Sequence, residues 1–476
     1  MSGDSTPQAG ARSTPGTSAE HDGRFAPGVG WLAGATLLLA PEIGALIGLL
    51  GNLVGVDAVV AVANAVPTLI SRETIPNQGA QLPGGEWRGT FLGLSPAVAW
   101  ALRVGLAYLY AAVWAAWLWR GYGIYRRHYR RRAWTPRDDV LRRFRRHRWG
   151  QFGLVVVVLF LTLALFAPAL GPTTMERNVY DPYSYEVETY DADAGEVVTV
   201  SVGQANLESI SQGTANRNVP PFSYDTFGRY HPFGTLPSGQ DLFTTVAAGS
   251  RVSLFVGLLA ITVSALVAVG LAMVSAYYGG VVDLLVVLVS DATQALPQLL
   301  VVILLSVVMS ETWIAQLYNG GVLLALIFAL TGWPSLWRAI RGPALQVSER
   351  DWVDAADSFG QRPRTTMRKH VLPYVAGYVM VYASMNFGGI VIGIAGLSFL
   401  GLGISPPTPE WGRIVDVGQP YLTTASWHVA VIPGLLVVLV VTGFNALGDG
   451  IRDAIDAETD LSDEEETSAA ASGAGG

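Results

Sequence analysis

The run LFVGLLAITVSALVAVGLAMV, residues 254–274, decides the fold class, because it contains no Asp, Glu, Lys or Arg. A helix needs about 20 such apolar residues to cross roughly 30 Å of hydrocarbon. Similar runs recur at 29–50, 96–119, 152–170, 292–309, 320–337, 374–402 and 428–447. The composition agrees: 14% of the 476 residues are charged, where a soluble domain carries roughly 25%. Hydrophobic residues make up 51% and the formal net charge is −7. A wholly soluble protein is thereby excluded. Disorder, collagen and coiled coil fail too, since apolar runs dominate and no heptad or triplet repeat carries through the chain. With no cysteine, disulfides, thiolate metal sites, Fe–S clusters and Cys nucleophiles are removed together. The chain reads as an all-α polytopic membrane protein with eight candidate spans.

Arginines orient those spans. Residues 120–150 form an Arg-rich linker and 338–369 hold a second basic cluster; such excess sits in cytoplasmic loops. Four candidate spans separate the two clusters, an even number, so both assignments agree. The segment 171–249 then falls outside as an acidic loop (Asp181, Glu186, Glu188, Asp191, Asp193, Glu196) with a β-prone stretch at 196–202. The C-terminus falls on the cytoplasmic side of the cell membrane. Tyr and Trp between the arginines (Tyr125, Tyr129, Trp134, Trp149) admit a nucleic-acid reading. Their place between two spans points instead to anionic lipid and topology, with no nucleic acid. Residues 1–28 read as a disordered tail and 457–476 as an acidic one. Between 29 and 119 lies an N-terminal extension with about two transmembrane helices. Its apolar character resumes at 53–70 after Gly51 and Asn52, as one span plus an interfacial helix or as a hairpin of two.

The basic cluster contains SERDWVDAADSFGQRPRTTMRKHVLP, residues 348–373. Ser348 with Asp351 resembles a capping box that opens a helix, and Gly360 stands where a left-handed residue would close it. Pro363 can begin a second helix, and Leu372 before Pro373 marks a break at re-entry into the membrane. Trp352, Ala355, Ala356 and Phe359 recur at i, i+3, i+4, i+7, giving the first helix an apolar face with a small-residue centre. That face wants a partner.

Asp354-Ala355-Ala356, then Gly360, then the Leu372-Pro373 ending resembles the EAA loop of permease subunits in binding-protein-dependent ABC importers. Asp354 replaces the family's usual Glu with a shorter carboxylate. FGTLPSGQDLF (233–243), GSRVSL (249–254), LSFLGLG (397–403), PPTPEWG (406–412) and FNALGDGIRD (444–453) are similar, in order, to the second permease subunit of the dipeptide, oligopeptide and nickel branch. An acidic residue after Thr235 is missing, and Gln240 stands where Arg is usual. The resemblance implies a six-span type I permease core at 151–456, with external loop 171–249 and coupling loop 338–372. Trp352, Asp354, Ala355, Ala356, Phe359 and Gly360 would then form the ATPase-coupling site. It also implies the partners: a second homologous permease, two ATP-binding subunits and an external substrate-binding protein. ATP and Mg would be bound by partner subunits, and the helix at 349–359 would transmit their closure to the spans.

What is missing agrees with that reading. A P-loop needs Gly-x-x-x-x-Gly-Lys-[Ser/Thr] to cradle phosphate, and the sole lysine, Lys369, precedes His370. No cofactor is therefore expected in this chain, and it is not expected to be an enzyme. His21, His128, His147, His231, His370 and His428 are scattered without ligand spacing, so no metal site is expected. No Gly-x-Ser-x-Gly elbow is present. The alternative is a self-contained ion-coupled secondary transporter or channel, which places ionisable groups near mid-membrane. Glu42 and Asp291, with Arg103 near the outer end of its span, are its candidates, while the place of Asp283 and Asp291 near the cytoplasmic end points to headgroup or subunit contacts. Gly388, Gly389, Gly393 and Gly396 are expected to serve helix packing, or to widen a path.

Overall fold

The computed structural model describes residues 22–45, 47, 66, 68–130, 136–201 and 218–455. The tail expected at 457–476 lies outside them, as do residues 1–21 and most of the apolar stretch 53–70. Seven helices among the described residues are long and apolar enough to cross a membrane, or up to eight if one bent pair is a single span. The chain divides into two compact units, 1–69 with 109–135, and 70–108 with 136–476.

The first unit holds α1 (Asp22–Leu39) and the later part of α2 (Pro96–Ile124). Helix α1 begins at Asp22, so residues 22–28, expected in the disordered tail, are helical. Reciprocal indole bonds join its two helices: Trp31 Nε1 donates to the Trp117 carbonyl at 3.0 Å, and Trp117 Nε1 to the Trp31 carbonyl at 3.3 Å. Tyr110 donates to the Leu38 carbonyl at 2.8 Å. Indole N–H and phenol O–H groups need acceptors when partly buried, and here backbone carbonyls of the facing helix supply them.

The second unit is a helical core. After α3 (Pro136–Phe144), α4 (Arg148–Leu170) crosses α12 (His428–Ile455) at paired glycines. A Cβ on Gly150 would lie 2.8 Å from the Gly450 Cα, and one on Gly153 only 2.3 Å from the Leu447 amide nitrogen. Backbone contact of this kind is how small residues hold membrane helices together. The opening run lies inside α5 (Leu242–Tyr278). At 37 residues that helix is about 55 Å long, well beyond the hydrocarbon thickness. It packs along α8 (Gly321–Ser348), with Ser264 Oγ donating to the Ala329 carbonyl at 3.2 Å. Helix α10 (Pro363–Phe399) contains a π turn at Met367–Val371 and packs on α8 and α12. Phe387 and Phe444 meet at 4.2 Å between centroids, and Phe160 stands edge-on to both and to Trp411. In α10, Gly393 faces the Phe328 ring and Gly388 the Val441 backbone, whereas Gly389 and Gly396 have open space. Packing thus accounts for two of these four glycines.

The span expected at 292–309 is not one straight helix. Helices α6 (Gly280–Ala295) and α7 (Gln298–Val308) meet at 83°. Pro297 is the cause: the residue before proline is driven from the helical region, and Leu296 sits at φ −82°, ψ 135°. Counting α6 and α7 as one crossing keeps four crossings between the basic clusters. Asp283 and Asp291 on α6 pair with Arg341 and Arg338 on α8, with Arg341 Nε to Asp283 Oδ1 at 2.7 Å. Both carboxylates therefore find their cations within the chain.

The β-prone stretch forms a hairpin, β3 (Glu186–Asp191) against β4 (Glu196–Ser201), paired Glu186 to Ser201 and turned at Gly195. Two-residue pairs flank it in sequence: β1 (Ala80–Gln81) with β2 (Trp87–Arg88), and β5 (Ser223–Tyr224) with β6 (Tyr230–His231). Short helix α9 (Asp351–Ser358) links α8 to α10, and α11 (Trp411–Gly418) precedes α12.

Candidate functional site

Helix α9 carries all the residues the sequence nominated except Phe359 and Gly360, which close it. Its start differs from expectation. Ser348 is the last residue of α8, and its Oγ donates back to the Leu345 carbonyl at 2.8 Å. Arg350 occupies the N-cap position of α9 with extended backbone and no side-chain cap. The capping box fails because Ser348 has an acceptor in its own helix, one turn back. Asp351 and Asp354 in the first turn still complement the positive end of the helix dipole.

The C-terminal end matches expectation. Gly360 has φ +74°, its amide donates to the Asp357 carbonyl at 2.9 Å, and the Gln361 amide donates to the Ala356 carbonyl at 3.1 Å. These are the two bonds of a Schellman ending, which needs a left-handed residue at C′. Asp357 then accepts from Thr366 Oγ1 at 3.1 Å, and His370 Nε2 lies 3.3 Å from Gln361 Oε1. The turn between α9 and α10 is thus fixed from both sides.

The predicted apolar face is outward. Phe359 is 90% exposed and Trp352 43%, Ala355 is exposed and Ala356 half-buried, while Val353 at 3% anchors the helix to the chain. Trp352 is steadied by Tyr374, stacked at 6.0 Å, and by the Arg350 guanidinium 5.8 Å from the Trp352 ring centroid. Asp354 is exposed beside them. The structure brings Trp352, Asp354, Ala355, Ala356, Phe359 and Gly360 together on one short rigid helix and its cap. A surface of this kind offers another protein apolar contact beside a carboxylate.

A second constellation, which sequence reading missed, sits where α5 begins. Asp241 N-caps α5, its Oδ1 accepting from the Thr244 amide at 2.7 Å. Its Oδ2 lies 2.8 Å from His231 Nδ1, and His231 Nε2 lies 3.1 Å from Asp225 Oδ2. Arg229 Nε donates to Asp225 Oδ2 at 2.6 Å. Asn178 locks on: its Oδ1 accepts from the Asp241 amide at 2.8 Å and its Nδ2 donates to Thr245 Oγ1 at 3.1 Å. All these groups are buried. The Asp225 carboxyl is held down to about 2, with burial opposing and Arg229 and His231 prevailing. For His231 burial pulls the pKa down, but bonds to Asp225 and Asp241 outweigh it and leave the ring above its ordinary value. Only spacing within 225–241 could have hinted at this network; its partner Asn178 is too distant in sequence.

Glu410 forms a third feature. Its Oε2 caps α11, accepting from the Gly412 amide at 2.6 Å and the Arg413 amide at 3.2 Å. Burial pushes the carboxyl up to about 7, against the lowering effect of those bonds and of Arg413. Trp411 then reaches across to donate to the Val246 carbonyl of α5 at 2.7 Å. Among the described residues no group of three or more His, Asp or Glu is arranged to hold a metal ion.

The geometry can be set beside known proteins. Residues 250–460 match the family model "Binding-protein-dependent transport system inner membrane component", and 135–191 match "N-terminal TM domain of oligopeptide transport permease C". Similar relatives include a glutathione transport system permease protein, GsiD, of Escherichia coli O157:H7, 30% identical over 326 residues, which is 68% of this chain and 90% of the relative. The oligopeptide transport system permease protein OppC of Bacillus subtilis (strain 168) is 29% identical across 67% of this chain and 88% of its own. The dipeptide transport system permease protein DppC of the same organism is 30% identical across 67% and 85%.

Proposed function

The chain belongs to the family of binding-protein-dependent transport system inner membrane components, and from that premise we propose that it carries short peptides inward, coupled to separate ATPase subunits through α9. It is a multi-pass membrane permease with a type I permease domain, a transport component and not a catalytic enzyme. A second homologous permease completes the pathway, and an external binding protein delivers cargo to the loop after α4. The basic clusters, α9 and the C-terminus face the cytoplasm. Relatives named for glutathione, oligopeptides and dipeptides support a peptide cargo.

The exposed face of α9 carries the coupling reading. Trp352, Ala355 and Phe359 lie open to solvent on a helix whose end is fixed by Gly360. Exposed aromatics around a small-residue centre fit a helix-in-groove contact. ATP-driven closure of the partner subunits favours one arrangement of the spans through differential affinity for it. Of the ionisable groups weighed for ion coupling, Asp283 and Asp291 pair with arginines, and Arg103 is held by the Ile75 and Gly171 carbonyls and by Asn77.

Gly360→Val tests the reading. Beyond the two neighbouring residues in the chain, no atom lies within 4 Å of a Cβ at Gly360, so the cost is conformational: a β-branched residue resists φ > 0. The helix end and docking angle then change without a clash. Peptide uptake in a reconstituted complex is expected to fall about tenfold or more, since a cost near 1.4 kcal/mol already gives a factor of ten. Uptake equal to wild type would sink the coupling role.

A further inference from the structure

The N-terminal extension lies outside both matched family regions, the earlier of which begins at residue 135. Yet its part 70–108 belongs to the same compact unit as the permease core. The reason lies at the end of α4. Gly171 is the C-cap, and the next residue is Pro172, which has no N–H to fold back on the last carbonyls. The helix cannot close itself in the usual way.

Donors come from the extension instead. Arg72 Nη1 donates to the Pro168 carbonyl at 2.7 Å, its Nε to Gly171 at 3.1 Å, and its Nη2 to Thr173. Trp100 Nε1 donates to the Leu170 carbonyl at 2.9 Å, and Arg103 Nη2 to Gly171 at 2.9 Å. Asn77 Nδ2 reaches the Pro172 carbonyl at 3.2 Å. Two guanidiniums therefore stand at the negative end of the α4 dipole, where cations are favoured. Arg103 is fully buried, and its Nη1 is fixed by the Ile75 carbonyl at 2.9 Å and Asn77 Oδ1 at 2.8 Å.

The same segment grips the other end of the loop. Trp100 packs on Tyr230 and Phe243 at 5.7 and 5.2 Å, and Trp87 stacks on Tyr224 at 6.0 Å. Tyr224 and Tyr230 belong to the β5–β6 pair, and Phe243 to the first turn of α5. The extension thus contacts the chain where it leaves α4 and where it enters α5.

We propose that residues 70–108 are a built-in brace for the loop between α4 and α5, with Arg72 and Arg103 as its positioning residues, and that this brace holds the surface that receives the cargo-loaded binding protein. Only the last clause rests on the importer reading. The test uses the full-length chain in its reconstituted complex and compares wild type, the pair Arg72→Gln with Arg103→Gln, and the single Arg103→Lys, with trialanine as transport probe. Hydrogen exchange of amides in 172–201 is expected to rise about tenfold in the Gln pair while α10 and α12 stay within about twofold. Arg103→Lys keeps a charge at the dipole and is expected to stay within about threefold of wild type. The half-saturating trialanine concentration should rise about tenfold in the Gln pair with the maximal rate within about twofold. Unchanged exchange in 172–201, or exchange raised equally in α10 and α12, overturns the brace. Raised loop exchange with an unmoved half-saturation overturns its role in docking. A wild type that takes up no trialanine refutes the peptide reading, and the exchange comparison then still decides the brace.

Discussion

The two ends of the permease are built on opposite plans. At the start of α5 every charged group is answered within the chain: Asp241 by the α5 amides and His231, His231 by Asp225, and Asp225 by Arg229. At α9 a single buried residue, Val353, anchors a helix with no side-chain N-cap and an exposed aromatic face. Buried charge is tolerable only when paired and hydrogen-bonded, so the α5 network is closed and rigid. An exposed aromatic is tolerable alone but gains free energy when covered. The contrast separates residues whose contacts make the fold from residues that the fold leaves exposed.

The largest effect should come from opening the closed end. Asp241→Ala removes the α5 cap and one of the two carboxylates on His231. Breaking a buried ion pair costs about 3–5 kcal/mol, a loss of Tm that thermal unfolding in detergent would record. A change within that of a surface substitution would break the comparison.

Next in size is pH. The folded-state pKa of His231 lies above its ordinary 6.5, owing to Asp225 and Asp241. A raised pKa stabilises fully below the unfolded value and is lost as pH rises through the folded one. Stability of wild type relative to His231→Gln should therefore fall as pH climbs from 6.5. For Asp225 the sign reverses: its contribution is present above 3.8 and lost as pH falls through about 2. A wild-type advantage that grows with pH above 6.5 would contradict the assigned charge of the network.

The smallest effect belongs to the open end. Phe359→Ala, at a residue 90% exposed, should change stability by no more than about 0.5 kcal/mol, while weakening recovery of ATPase subunits in pull-downs. A large loss of stability would mean that Phe359 serves the fold.

Periodicity and length made most of this architecture legible in sequence. Uncharged runs mark the spans, because bilayer thickness leaves few other solutions. Gly360 was legible because a left-handed helix end leaves a local signature. What escaped depends on distant partners or on competition. Pro297 lies inside an apolar run, where composition says membrane but the ring's steric demand on Leu296 says bend. Ser348 resembled a cap, yet its hydroxyl is taken by Leu345. The Asn178–Asp241 lock and the Arg72 grip on Gly171 join residues 63 and 99 apart, beyond the reach of any spacing rule. Arg103, which sequence reading weighed as an ion site, is a helix-end donor because Pro172 leaves carbonyls unmet.

The central claim is that α9 is the contact through which separate ATPases drive this permease. The direct measurement is recovery of those subunits with tagged chain in mild detergent, wild type against Ala356→Arg, which puts a long charged side chain at the small-residue centre of the face. The account predicts ATPases and a second permease with wild type, and loss of the ATPases alone with the variant. Equal recovery of ATPases from both, or recovery of the wild-type chain with no companion under conditions that preserve complexes, would contradict it.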